Sequence, residues 1–303
     1  MKYILEYPSE LPSAGEEFLR PDVIREIVCR AEEAGFHGVA LSEHPAPSVK
    51  WRDNGGHHTL DPIAALSFIA GVTSTIRLMT NLYVLPFRNP YLSAKALGSL
   101  DIVSGGRVTA GVGAGYLRAE FAALGVDHDS RAALFDEALG ALRTIWTDPA
   151  RPVSGAHFRA PGPVWSQKPV QRPGPPLWIG GNGSAALRRV VAHGDGWMPI
   201  IADAGMAAAM RTTAIENADQ FGERSRRLRT MLERAGRDPS AVAIQVICPH
   251  VDITDAGSVG EARTVLADLA RRGATHAVVH VDGTSPEAAV EFLTRFAETV
   301  VRG

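Results

Sequence analysis

Cysteine is scarce: two residues in 303, Cys29 and Cys248, supply neither a disulfide framework nor a spaced set of metal ligands, and both read as core thiols. Net charge is scarce too. The 31 Lys+Arg against 33 Asp+Glu leave a formal charge of -2, without the basic field that nucleic-acid binding leaves in a composition. No apolar run is long enough to span a bilayer, and the opening Met-Lys-Tyr-Ile-Leu-Glu-Tyr-Pro meets an acid and a proline too early for a secretory segment. No His-x-His stands near the start, and His57 and His58 are adjacent rather than two apart, so no metal site is preassembled. These absences predict a soluble, cytoplasmic protein with no metal, nucleic-acid or membrane partner. What is present is a 45% hydrophobic fraction with 30 Gly and 20 Pro, enough apolar surface for a large core.

Short β-rich runs alternate with helical periodicity along the whole chain. Strands are predicted at residues 3–7, 38–42, 76–80, 108–112, 177–179, 196–199, 243–248 and 274–281. Helices are predicted at 21–34, 61–72, 90–104, 131–146, 185–193, 206–235, 260–271 and 286–301. A weak repeat supports the count. Ala31-Glu-Glu-Ala-Gly35-Phe-His-Gly-Val39 and Ala270-Arg-Arg-Gly273-Ala-Thr-His-Ala-Val278 each end a helix on a glycine suited to the left-handed cap and then enter an apolar strand; Ala192-His-Gly194-Asp-Gly-Trp197 is a shorter relative. Strands apolar on both faces, alternating with helices, imply a parallel sheet, and eight units suggest a closed α/β barrel, a (β/α)₈ TIM barrel, with a doubly wound open sheet as the alternative. The Pro/Gly-rich residues 148–176 read as an insertion or lid within a single domain spanning 1–303.

In such a barrel, chemistry collects at the C-terminal strand ends. Gly180-Gly-Asn-Gly-Ser184, between an apolar strand and a helix, offers free N–H groups and a helix dipole to an anion, so a phosphate is expected there; the alternative is an ordinary βα turn. Gly111-Val-Gly113-Ala-Gly115-Tyr116 lacks the last glycine of a dinucleotide fingerprint and reads as backbone passing close to a flat ligand. His44 ends the second strand beside Glu43, which could fix its tautomer or serve as a helix-facing ion-pair partner. His276 and His280 share a face of the last strand, the first structural and the second a candidate for the pocket.

Thr80-Asn-Leu-Tyr-Val-Leu-Pro-Phe-Arg-Asn-Pro90, Ser104-Gly-Gly-Arg107, the glycine run 111–115, Glu120-Phe121, Asp136-Glu137, Pro176-Leu-Trp-Ile-Gly-Gly-Asn-Gly183 and Asp195-Gly-Trp-Met-Pro199 resemble the long signature of the bacterial-luciferase-like monooxygenases. Within it the chain looks most like the branch that uses the deazaflavin coenzyme F420. The resemblance implies a TIM barrel with the flavin or deazaflavin ring over the strand ends and a non-prolyl cis peptide at Asn81-Leu82 behind it. It places Glu43 and His44 as the acid–histidine pair, Ala114, Gly115 and Tyr116 along the ring and side chain, and Gly180, Gly181, Asn182, Gly183 and Ser184 at the phosphate. Where members of the family carry an acid after the glycine run, this chain has Tyr116.

The reaction so implied is hydride transfer between coenzyme F420 and a small organic substrate, with His44 moving the proton and Glu43 orienting it. Tyr7, Trp51, His57, His58 and His280 are expected to shape the substrate pocket, and Arg88, Arg118, Arg188 and Arg189 to meet the cofactor's polyanionic tail. The alternatives are an FMN-dependent monooxygenase and a non-catalytic flavin- or deazaflavin-binding protein. A homodimer is expected.

Overall fold

The computed structural model describes residues 1–302, in which eight parallel strands close into a barrel in sequence order. They are β1 (Lys2–Glu6), β2 (Gly38–Leu41), β3 (Arg77–Val84), β4 (Val108–Gly113), β5 (Leu177–Gly180), β6 (Gly196–Met198), β7 (Ala243–Ile247) and β8 (His276–His280). Closure is made by β1 pairing with β8, Lys2 opposite His276 through Glu6 opposite His280. The helices are α1 (Pro21–Glu33), α2 (Val49–Asp53), α3 (Pro62–Val72), α4 (Pro90–Val103), α5 (Arg118–Ala123), α6 (Arg131–Thr147), α7 (Ser184–His193), α8 (Ala204–Ala209), α9 (Ala218–Arg234), α10 (Ala256–Arg271) and α11 (Pro286–Phe296). None is long and apolar enough to cross a membrane.

Local sequence explains the element ends. Asp61 caps α3 by accepting from Ala64 N at 2.9 Å, and a proline opens α1, α3, α4 and α11, where its missing N–H costs nothing. The helical spacing read at residues 21–34 is real: Val23, Ile24, Ile27, Val28 and Ala31 are the buried face of α1, each large aliphatic contributing about 1.5–3 kcal/mol. Gly35 and Gly273 take φ of +84° and +116° after their helices, as the repeat requires. Gly194 does not, having φ −85°; there a Cβ would lie 2.9 Å from Val190 Cα, so the third repeat needs glycine for a close approach.

Two expectations are corrected. The predicted helix over 206–235 is two helices, α8 and α9, separated by an extended stretch that pairs Ala202 with Ile215; Thr212 and Thr213 disfavour helix, and Asn217 starts α9 by accepting from Gln220 N at 3.0 Å. The third strand continues four residues past Thr80, through a register shift between Thr80 and Tyr83 that contains the cis peptide Asn81-Leu82. None of residues 148–176 lines the cleft described below. They follow a helix and precede a strand, so the chain must return to the N-terminal end of the barrel. Gln171 is held there: its Nε2 donates to Asp101 Oδ1 at 2.6 Å and to the carbonyl of Val108, the first residue of β4, at 2.8 Å.

Candidate active site

The strand ends surround a cleft of about 770 Å³. Residues from every part of the predicted cofactor site meet in it: His44, Asn81, Leu82, Ala114, Gly115, Tyr116, Gly180, Gly181, Asn182 and Gly183 all line its wall. Ser184 does not; it is the first residue of α7. The glycines do more than admit a ligand. A Cβ on Gly180 or Gly113 would stand 2.4 or 2.8 Å from Leu82 Cδ1, so these two residues make room for the Leu82 side chain, which the bulge in β3 carries across the cleft floor.

His44 has a different orienting partner from the one expected. Its Nδ1 lies 3.3 Å from Glu120 Oε2, and Glu120, buried on α5, also accepts from Ala46 N at 3.4 Å. Trp51, on α2, packs against the imidazole with the rings tilted by 37° and their centroids 4.6 Å apart, and Tyr116 meets it edge-on at 6.1 Å. Burial pushes the Tyr116 phenol up. With Nδ1 engaged by a carboxylate, Nε2 is left as the proton-handling atom. Glu43 also lines the cleft, but its carboxylate is engaged away from His44. It accepts from Val84 N at 2.6 Å and is ion-paired with Arg88, whose guanidinium lies 4.2 Å over the Tyr83 ring. Burial pushes the Glu43 carboxyl up, with Arg88 and the Val84 N–H opposing. The ion-pair alternative for Glu43 is therefore the one realised: it clamps the end of β3.

The predicted pocket residues divide. His57 and His280 line the cleft, and Trp51 reaches it through His44. Tyr7 is a core residue, 1% exposed, its hydroxyl donating to Phe18 O at 2.8 Å. His58 turns to Arg52 Nη2 at 3.2 Å, outside the lining. Of the four arginines expected at the anionic tail, only Arg189 lines the cleft, and it is itself ion-paired with Asp136; Arg88 is held by Glu43, Arg118 pairs with Asp129 on the surface, and Arg188 is exposed. Arg131, at the start of α6, and Arg211, in the break between α8 and α9, take their place. That break is tied to the glycine turn: Asn182 N donates to Thr212 Oγ1 at 3.0 Å, and Asn182 Nδ2 to Thr213 O at 2.8 Å and Ile200 O at 2.7 Å. The Asn182 side chain and N–H thus brace the loops that flank the cleft.

Glu120, Arg131, Arg211, Glu10 and Gln245 were not among the candidates. Glu120 stood in the quoted motif; the others carry no sequence pattern that marks them.

The profile of the luciferase-like monooxygenase family matches residues 6–289. The chain belongs to this family. This luciferase-like chain is 30% identical, over 61% of its length and 54% of the relative's, to the F420-dependent glucose-6-phosphate dehydrogenase of Gordonia bronchialis. It is 29% identical, over 70% and 54%, to the F420-dependent hydroxymycolic acid dehydrogenase of Mycobacterium tuberculosis. It spans between 45% and 64% of the length of the curated relatives it matches. Among solved structures, an F420-dependent secondary alcohol dehydrogenase shares the fold at a TM-score of 0.77 with 19% identity, covering 99% of both chains.

Proposed function

We propose that this luciferase-like protein is an oxidoreductase that moves a hydride between coenzyme F420 and a small organic substrate. The observation that carries the reading is the division of the cleft into an anion end and a proton-handling end joined by an apolar floor. At the anion end, backbone of residues 180–183 sits before the ten-residue α7, with Arg131, Arg189 and Arg211 lining the same side. Leu82, seated over two glycines, supplies a flat apolar surface. This donor set fits a phosphorylated, planar cofactor. The F420-dependent relatives named above favour the deazaflavin over FMN.

When bound, the deazaflavin supplies a carbon that carries a hydride. Everything else falls to the protein. The glycine turn and the arginines bind the anionic part, and Leu82 orients the ring. Glu120 and Trp51 hold the His44 ring, so that Nε2 gives or takes the proton that accompanies the hydride. Titration of the purified protein with F420 and separately with FMN, followed by cofactor fluorescence, tests the assignment: F420 binds more tightly, and tight FMN binding with no F420 binding overturns it. A homodimer in the cytoplasm belongs to the same proposal, and sedimentation at several concentrations checks the assembly.

A further inference from the structure

Charge is partitioned across the cleft. The cations Arg131, Arg189 and Arg211 lie with the β4–β5 ends and the glycine turn; β1 stands opposite β5 in the closed ring. On that opposite wall stand Glu6 at the end of β1, Glu10 after it, His57, Asn81, Gln245 on β7 and His280 on β8. These side chains are already neutralised among themselves. Glu6 is ion-paired with His280, and it accepts from Asn81 Nδ2 at 2.9 Å. The pairing pushes the His280 imidazole up, toward its protonated form. Glu10 accepts from Ser42 N at 3.0 Å and lies 3.8 Å from His57 Nδ1; burial pushes its carboxyl up to about 8, which leaves it uncharged at neutral pH, and pushes the His57 imidazole down. This wall offers no free cation.

Two polar atoms on it are unmatched. Glu10 Oε1 and Gln245 Oε1 are buried without a hydrogen-bond partner, in side chains 6% and 5% exposed that both line the cleft. A buried polar atom left unpaired is costly, so the wall is completed by a ligand that hydrogen-bonds to it without bringing charge. The distance scale suits a small molecule: the His44 and His57 rings are 5.7 Å apart, and His57 adjoins Glu10.

We infer that the substrate is an uncharged polyhydroxy compound, held by Glu10 and Gln245 through one hydroxyl while a neighbouring carbinol is presented to His44, and that a phosphorylated sugar is rejected. The inference rests on the hydride-transfer reading above. In the step, the carbinol C–H bond would break and its electron pair leave as hydride, for which the bound oxidised deazaflavin would be the acceptor. The O–H proton goes to His44 Nε2, and the carbon–oxygen bond becomes a carbonyl. A phosphate on the substrate would face the Glu6 and Glu10 carboxyl groups with no free cation on that wall, the reverse of what its charge requires.

The test uses the F420-loaded protein and calorimetric titration with matched pairs, glucose against glucose-6-phosphate and glycerol against glycerol-3-phosphate. Loading occupies the anion end, so phosphate binding there cannot mimic substrate. The neutral member of each pair is expected to bind at least roughly tenfold tighter, and Gln245→Leu to weaken it roughly tenfold while F420 affinity holds. Failure to take up F420 overturns the underlying reading before any sugar is added. With F420 bound, equal or tighter binding of the phosphates, no measurable binding of either neutral compound, or an unaltered Gln245→Leu protein overturns the inference alone. A Gln245→Leu protein that loses F420 affinity in parallel shows a structural role and also overturns it.

Discussion

His44 works through what touches its two nitrogens. Nδ1 is committed to Glu120 and the ring to Trp51, so the imidazole is held with Nε2 toward the reacting molecules. His44→Ala is expected to lower hydride transfer by roughly 10²–10⁴ with cofactor affinity within a few fold, since it removes proton handling and leaves the anion end intact. Glu120→Gln should keep the ring in place but move the pH profile of kcat, which a purely structural carboxylate would not do. Stopped-flow kinetics checks both. Glu10 carries a separate pH signature. Burial raises its carboxyl from 4.5 to about 8, so the folded chain keeps a proton that the unfolded chain releases. Its contribution to stability is full below the unfolded value and is lost as pH rises through the interval to about 8. The wild type should therefore lose melting temperature relative to Glu10→Gln between pH 5 and pH 8, by about 2–4 °C per kcal/mol; parallel curves remove Glu10 from this account. The histidine was legible in the sequence because it ends a strand. Its partner was not: Glu120 lies 76 positions away, and adjacency made Glu43 the natural candidate.

At the scale of elements, the bulge in β3 and the glycines of β4 and β5 form one device. Asn81 and Leu82 break the pairing between Thr80 and Tyr83, and the freed Leu82 side chain lies where Gly113 and Gly180 have no Cβ. Gly180→Ala should destabilise the protein by about 1–3 kcal/mol through overpacking, and by much less in a Leu82→Ala background, because the two positions share one space. Denaturant unfolding of the four proteins in the cycle measures the coupling; additive effects would refute it. The glycine-rich ends were readable as places of close backbone approach. What approaches them was not, because Leu82 reaches Gly180 from two strands away around the ring. The break between α8 and α9 was likewise hidden under an apparent long helix, although it delivers Arg211 to the cleft.

Over the whole molecule, the two ends of the barrel carry different duties. The C-terminal end holds the cleft. Residues 148–176 run along the outside of the barrel, Val153 meeting the Tyr91 hydroxyl at the start of α4, and return to the N-terminal end at Gln171, where Asp101, fully buried, accepts from Gln171 N at 2.9 Å and Nε2 at 2.6 Å, and Arg77 Nη2 donates to Gln171 Oε1 at 3.2 Å. Gln171→Ala should cost about 1–3 kcal/mol by removing the Nε2 donor from the buried Asp101 carboxylate, which keeps only the backbone N–H, yet leave F420 affinity unchanged, since no residue of this strap reaches the cleft. Denaturation and fluorescence titration of the same preparation separate the two effects, and a loss of cofactor affinity would give the segment a role at the cleft. The strap's irregular composition was visible in the sequence. Which end of the barrel it covers followed from its place after a helix and before a strand, a topological rule that outranks composition.

The sequence by itself determined the alternation of eight strands and their helices, the barrel, the family, and a glycine turn before α7, because each of these is written in local periodicity, turn chemistry or an ordered string of motifs. Only the tertiary structure decided that Glu120 orients His44, that Glu43 clamps β3 through Arg88, that Arg131 and Arg211 flank the anion end, and that Glu10 and Gln245 face the cleft with unmatched oxygens. Those arrangements join residues that follow different strands of the closed ring, where burial and charge depend on neighbours that no window along the sequence contains.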